Sequence, residues 1–205
     1  MPNLQRLCLS NATDFSVLSC FQCPRLLHLT INDRFDECLY LSQRILSNSH
    51  CILETLCLCD ENEEESSVKA TASHSILPLL NRLRTLELCS DYARVMVNAL
   101  PLLTQPGCFP LLSSLSVDIY WDHPVSVPSD VKVLQDFFNA CIYKLDGSVL
   151  PNVTVRFPRP QDLTGSNELA EQQAALRACL QRWKEDGVHV TASLGWNRTH
   201  FSASL

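Results

Sequence analysis

Cys57, Cys59 and Cys89 are residues of the type that ligates zinc, and a tetrahedral site built on them would need a fourth ligand nearby. Cys57 and Cys59 are two apart on one extended segment, which separates them by about 7 Å and opposes convergence on one ion. Cys20-x-x-Cys23 is a lone pair with no second pair at ligand spacing. Cys23, Cys51 and Cys108 precede apolar segments, where a small thiol packs well. Structural cysteine is therefore the expectation, with no metal and no cofactor. Nucleophilic catalysis would need a Ser or Cys beside a base and an orienting group. The six histidines, His28, His50, His74, His123, His189 and His200, are scattered, and none has such a partner in a recognisable elbow. The five glycines form no phosphate-cradling loop. Paired carboxylates occur only in Asp60–Glu65, where nothing holds them a fixed distance apart or raises one pKa. The expectation is a protein that is not an enzyme.

Composition bounds the remaining classes. The chain has 205 residues, 46% hydrophobic and 19% charged, which is ordinary for a folded globular protein and not for a disordered one. A net charge of -6 argues against nucleic acid as a partner, since phosphates need a basic stripe. There is no apolar run of about 18 residues, so no membrane span is expected. No charged-then-apolar signal precedes Pro2-Asn3-Leu4, so a cytoplasmic or nuclear location with reduced thiols is expected. The sequons at Asn11, Asn152 and Asn197 are then coincidental.

The elements that would carry any site are set by a recurring phrase. Leu83-x-x-Leu86-x-Leu88 shares its spacing with Leu4-x-x-Leu7-x-Leu9, Leu26-x-x-Leu29-x-Ile31, Leu53-x-x-Leu56-x-Leu58 and Leu112-x-x-Leu115-x-Val117. Leu150-x-x-Val153-x-Val155 is a looser copy, and a degraded one ends in Val188-x-Val190, aligned on Glu185. The closing Leu-x-Leu has the period-2 alternation of a strand with one buried face. Repeats of about 20 to 40 residues, one strand each, predict a stacked solenoid whose neighbours share a core. The fold class expected is α/β: a curved parallel sheet on the concave side and helices on the convex side. One domain of about six to seven irregular repeats would span 1–195, with 196–205 as a tail. Its front edge has no cap, which suggests a piece of a longer chain or a start placed too late.

Between the strands the pattern is helical. Phe35 to Asn48 carries Cys38, Leu41, Ile45 and Leu46 on one face. Ser90-Asp91 opens a second helix, stopped by Pro101. Ser129-Asp130 opens a third, with Leu134, Phe137, Phe138, Cys141 and Leu145 at helical spacing. A last helix from Ser166 to about Asp186 carries Leu169, Leu176, Leu180 and Trp183, with Gly187 as its stop. The acidic run Asp60–Ser67 and the stretch Trp121–Pro128 interrupt the rhythm as loops, and Trp196 is expected to cover the last repeat.

Residues alternating with the buried ones should line the open face in three columns. The first is Arg6, His28, Thr55, Thr85, Ser114, Asn152 and Gly187. The second is Cys8, Thr30, Cys57, Glu87, Ser116, Thr154 and His189. The third is Ser10, Asn32, Cys59, Cys89, Asp118, Arg156 and Thr191. A polar surface on a rigid sheet loses little entropy on contact and suits a protein partner. Arg6, His28, Thr30, Glu87, Ser116, Asp118, Thr154 and Arg156 are the candidate contact residues, the charged ones setting partner choice.

The phrases PNLQRLCLS, CPRLLHLTI, ILETLCLC, RLRTLELCSD and FPLLSSLSVDIYW resemble the leucine-rich-repeat portions of fungal F-box proteins, over residues 2 to 157. In that family an N-terminal F-box binds the adaptor of a cullin–RING ubiquitin ligase, and the repeats hold the protein to be modified. The resemblance implies a substrate-recognition role. Adaptor binding would require an F-box upstream, since no Leu-Pro-x-Glu triplet precedes the first repeat here. The function expected is a non-enzymatic protein–protein interaction module. Its rivals are a truncated repeat fragment with no function of its own, and a thiol or metal protein using Cys57, Cys59 and Cys89.

Overall fold

The structure, a computed structural model, describes residues 1–10, 22–33, 35–60, 76–90, 100–101, 103–104, 108–119, 128–143, 149–157, 178 and 180–194. Seven strands form one sheet: β1 (Arg6–Ser10), β2 (His28–Asn32), β3 (Thr55–Asp60), β4 (Thr85–Ser90), β5 (Ser114–Ile119), β6 (Asn152–Phe157) and β7 (His189–Leu194). They lie in sequence order, and every neighbouring pair is parallel. Helices α1 (Phe35–Ser49) and α2 (Pro128–Ile142) and a 3-10 turn at Leu77–Leu80 join them, and residues 180–185 are helical ahead of β7. The chain is thus α/β, as its repeat spacing predicts. Among the described residues no helix is long and apolar enough to cross a membrane.

A short turn feeds β1, β2, β4 and β5. Leu26 N–H donates to the Cys23 carbonyl at 3.0 Å, and Leu112 N–H to that of Phe109 at 3.1 Å. Leu4 N–H does the same to Met1 at 3.4 Å, and Leu83 to Leu80 at 3.0 Å. Pro2, Pro24 and Pro110 occupy the second position of three of these turns, where a fixed φ prepays part of the bend. The turn aims the leading leucine at the core. Beyond it, one carbonyl per unit takes two N–H groups from the next: Gln5 from Leu27 and His28, Leu27 from Glu54 and Thr55, Glu54 from Arg84 and Thr85, and Arg84 from Ser113 and Ser114. The Leu27-to-Gln5 bond is 2.9 Å and the Ser113-to-Arg84 bond 2.8 Å, so the spacing hardly changes along the sheet.

That ladder fixes the register, and the register stacks the leucines. Leu29, Leu56, Leu86 and Leu115 are paired side by side on successive strands, followed by Val153 and Val190. Leu29, Leu56, Leu86 and Leu115 are fully buried, as are Leu58, Leu88, Val117 and Val155 in the parallel row. Cys38, Leu41, Ile45 and Leu46 of α1 and Phe137, Phe138 and Cys141 of α2 close the same core. Helix α1 touches β2, β3 and the 3-10 turn. Trp183 is buried against Phe138, with ring centroids 4.9 Å apart, and its Nε1–H donates to Asn139 Oδ1 at 3.4 Å. Buried hydroxyls are hydrogen-bonded to backbone: Ser42 Oγ donates to Cys38 O at 2.7 Å, and Ser49 Oγ accepts from Cys23 N–H at 3.1 Å.

The last unit is the one correction to the alignment. Gly187 at φ +89° closes the preceding helical turn, with Gly187 N–H to Lys184 O at 3.1 Å and Val188 N–H to Trp183 O at 2.9 Å. This is the two-bond C-terminal cap that a left-handed residue permits. Val188 therefore belongs to the cap. Asn152, Thr154 and Arg156 pair with His189, Thr191 and Ser193, not with Gly187, His189 and Thr191. The shift is two residues, so the alternation of faces survives it. The expected helix after Ser90 (91–99), the acidic loop (61–67), the stretch 121–127, most of the helix from Ser166 and the tail 196–205 lie outside the described residues.

Leu86→Ala should lower stability by about 2–5 kcal/mol, because the cavity opens between Leu56 and Leu115. Gly187→Ala should cost about 1–2 kcal/mol from the left-handed φ alone, since an added Cβ there meets nothing within 4 Å. Urea unfolding with an unchanged m-value would register both; a midpoint unmoved by Leu86→Ala would refute the stacked-core account.

Candidate functional site

The face of the sheet opposite the leucines carries all eight candidate residues in register. Arg6 is beside His28, and His28 beside Thr55. Thr30 lies between Cys8 and Cys57, and Glu87 between Cys57 and Ser116. Ser116 is followed by Thr154, and Asp118 sits between Cys89 and Arg156. Arg6 and Cys8 on the edge strand are exposed, whereas His28, Thr30, Glu87, Ser116 and Thr154 are half-buried between neighbours. Arg156 is placed by its backbone register alone. By register, basic residues thus stand on β1 and β6, and the acids Glu87 and Asp118 stand on β4 and β5 between them.

Asp118 departs from the expectation of a solvent-facing contact. It is only 5% exposed, and Cys89 Sγ donates to its Oδ2 at 3.9 Å. Cross-strand neighbours in the third column stand close enough to cover a short side chain. Asn32, in the same column, has a buried Oδ1 with no hydrogen-bond partner among the described residues. Glu87, one residue row away and longer, keeps its half-exposed position.

The thiols depart further. Cys57 Sγ and Cys59 Sγ are 3.6 Å apart, although the strand separates their backbones by about 7 Å. Side chains two apart on a strand share a face, and their χ1 rotamers can lean toward one another across the pleat. Cys89, the register partner of Cys59, brings a third thiol alongside. Hydrogen bonds from Cys59 and then Cys89 hold the Cys57 thiol well below its ordinary value; burial opposes them, and a hydrogen bond with Glu87 adds to the lowering. Hydrogen bonding to Cys57 pushes the Cys59 thiol up, as does Cys89 and then burial. The repeat alignment of Cys57-x-Cys59 with Glu87-x-Cys89 already places these three cysteines close together on adjacent strands, as the register shows; the rotamers that bring Cys57 and Cys59 into contact it does not give. Among the described residues no three His, Cys, Asp or Glu side chains are arranged to hold a metal ion.

Cys23, Cys38, Cys108 and Cys141 are core residues. Cys38 Sγ points at three carbonyls, of Asp33 at 3.2 Å, Ile31 at 3.5 Å and Cys59 at 3.7 Å. Burial pushes the Cys141 thiol well up, with a hydrogen bond to Cys108 adding to the effect. Comparison with protein-family models, with curated proteins and with solved structures finds no match to this chain. The class the geometry defines is a parallel-sheet protein with one leucine face and one ordered polar face.

Alkylation followed by mass spectrometry should label Cys8 promptly in the folded protein, and Cys23, Cys38, Cys108 and Cys141 only after denaturation. Equal labelling of Cys8 and Cys141 before unfolding would contradict the assigned core.

Proposed function

We propose that the protein is a non-enzymatic interaction module: a leucine-rich-repeat solenoid that holds a protein partner on the concave, polar face of its strands. One observation carries this, the unbroken register that ranks Arg6, His28, Glu87, Ser116, Thr154 and Arg156 across neighbouring strands. Groups held by a hydrogen-bonded sheet are already ordered, so binding costs them little further entropy. Alternating charge along the rank, basic then acidic then basic, favours partners of complementary pattern and rejects others by like-charge contact. The partner class we adopt is a protein presented for ubiquitination, the role that such repeats fill in the F-box proteins the sequence resembles. Adaptor docking in those proteins belongs to the F-box, a separate element.

Reversing two charges tests the face. Glu87→Lys combined with Arg156→Glu should abolish capture of the cellular partner while far-UV circular dichroism and the melting curve stay unchanged. Arg182→Glu, exposed in the helical layer, should leave capture intact. If affinity capture returns the same partners for the double variant as for the wild type, the polar face is not the receptor surface.

A further inference from the structure

Cys57, Cys59 and Cys89 sit in the middle of the polar face, on the third and fourth of seven strands. Three features set them apart from the other thiols. They are register neighbours on adjacent strands, with Cys57 and Cys59 sulfurs 3.6 Å apart. They lie on the polar side of the sheet, where Cys89 is half-buried while Cys57 is 8% and Cys59 3% exposed. Cys59 and Cys89 are also directly paired on adjacent strands, which puts their Cα atoms about 4.8 Å apart. A disulfide needs about 4.4–6.8 Å, so this pair can be bridged with its backbone in place. Cys57 and Cys59, about 7 Å apart along one strand, sit at the upper limit of that range, so a bond between them is strained and readily exchanged.

We propose that these three cysteines form an oxidation site for a small hydroperoxide, with Cys57 as the sulfur attacked first and a Cys59–Cys89 disulfide as the end product. The Cys57 sulfur attacks one peroxide oxygen, the O–O bond breaks, and the alcohol leaves with the thiol proton; Cys57 is now a sulfenic acid. The Cys59 thiol attacks that sulfur, forming an S–S bond and expelling water made from the hydroxyl and the Cys59 proton. Cys89 then attacks the Cys59 sulfur, the Cys57–Cys59 bond breaks, and the Cys89 proton passes to solvent as Cys57 leaves as a thiolate. In sum, two thiols and one hydroperoxide become a disulfide, an alcohol and water. The order follows from chemistry: the thiol with the most stabilised anion is both the first ionised and the best leaving group. It also follows from geometry, because the exchange moves the bond from a strained spacing to a relaxed one. Cys108 and Cys141 belong to the apolar core, whereas Cys57 and Cys59, although no more than 8% exposed, stand outside it on the polar side.

Hydrogen peroxide is the probe. The full reduced chain is dosed at equimolar peroxide, quenched by alkylation and mapped by mass spectrometry. Cys59–Cys89 should be the first crosslink, appearing on the order of tenfold faster than oxidation of exposed Cys8. Cys57→Ser should slow it on the order of tenfold, and Cys89→Ser should stop the reaction at Cys57–Cys59. Trapping with dimedone in the wild-type chain should tag Cys57, which tests the first step even if a variant misfolds. Dimedone on Cys8 alone, a first crosslink between Cys108 and Cys141, or a rate unchanged by Cys57→Ser would each overturn the assignment. The readout is a covalent bond and not partner capture, so it fails or holds independently of the receptor role.

Discussion

A parallel strand cannot satisfy its own backbone, and in this protein each unit depends on the next for that. One carbonyl per unit, at Gln5, Leu27, Glu54 and Arg84, accepts two N–H groups from the unit that follows. The strands beyond those carbonyls then pair position for position across all six interfaces. Hydrogen bonds set the spacing, while leucine burial supplies most of the free energy, at roughly 25 cal/mol for each Å² of apolar surface removed from water. Neither suffices alone. The gradient along the sheet shows it: Leu7 and Leu9 on the edge strand are only partly buried, whereas Leu56, Leu58, Leu86 and Leu88 between two neighbours are fully so.

The same constraint organises the opposite face. Once the leucines are in register, the alternate side chains have no freedom to be elsewhere, and polar residues from distant parts of the sequence are set in ranks. Cys57, Cys59 and Cys89 come together for this reason, as do Glu87 with Ser116 and Asp118 with Arg156. A rank of short side chains covers itself, which is why Asp118 is buried while Glu87 and His28 stay partly open. Chemistry on this face is therefore a property of neighbouring units taken together. No single repeat contains it.

Much of this was legible residue by residue. The Leu-x-x-Leu-x-Leu spacing located six of seven strands, because strand alternation and the turn that precedes it both write themselves into local sequence. The helical faces of α1 and α2 were visible for the same reason, through Cys38, Leu41, Ile45, Phe137, Phe138 and Cys141. The seventh strand was misplaced by two residues because its markers mislead. Val188 looks like a strand residue yet caps a helical turn, and Ala192, which takes the place opposite Val155, is too small to stand out. Thiol contact was missed because backbone spacing bounds the distance between Cα atoms and says little about where χ1 sends a sulfur.

Sequence alone determined the alternation of faces, the strand-by-strand repeat and the identity of the residues that occupy the polar side. Those properties are local, written within a few residues by periodicities of two and of 3.6. Tertiary structure alone decided which of the polar residues stay accessible, how far the last unit slides and whether three thiols touch. These depend on neighbours brought from about 30 residues away, and on rotamers chosen only once the neighbours have arrived.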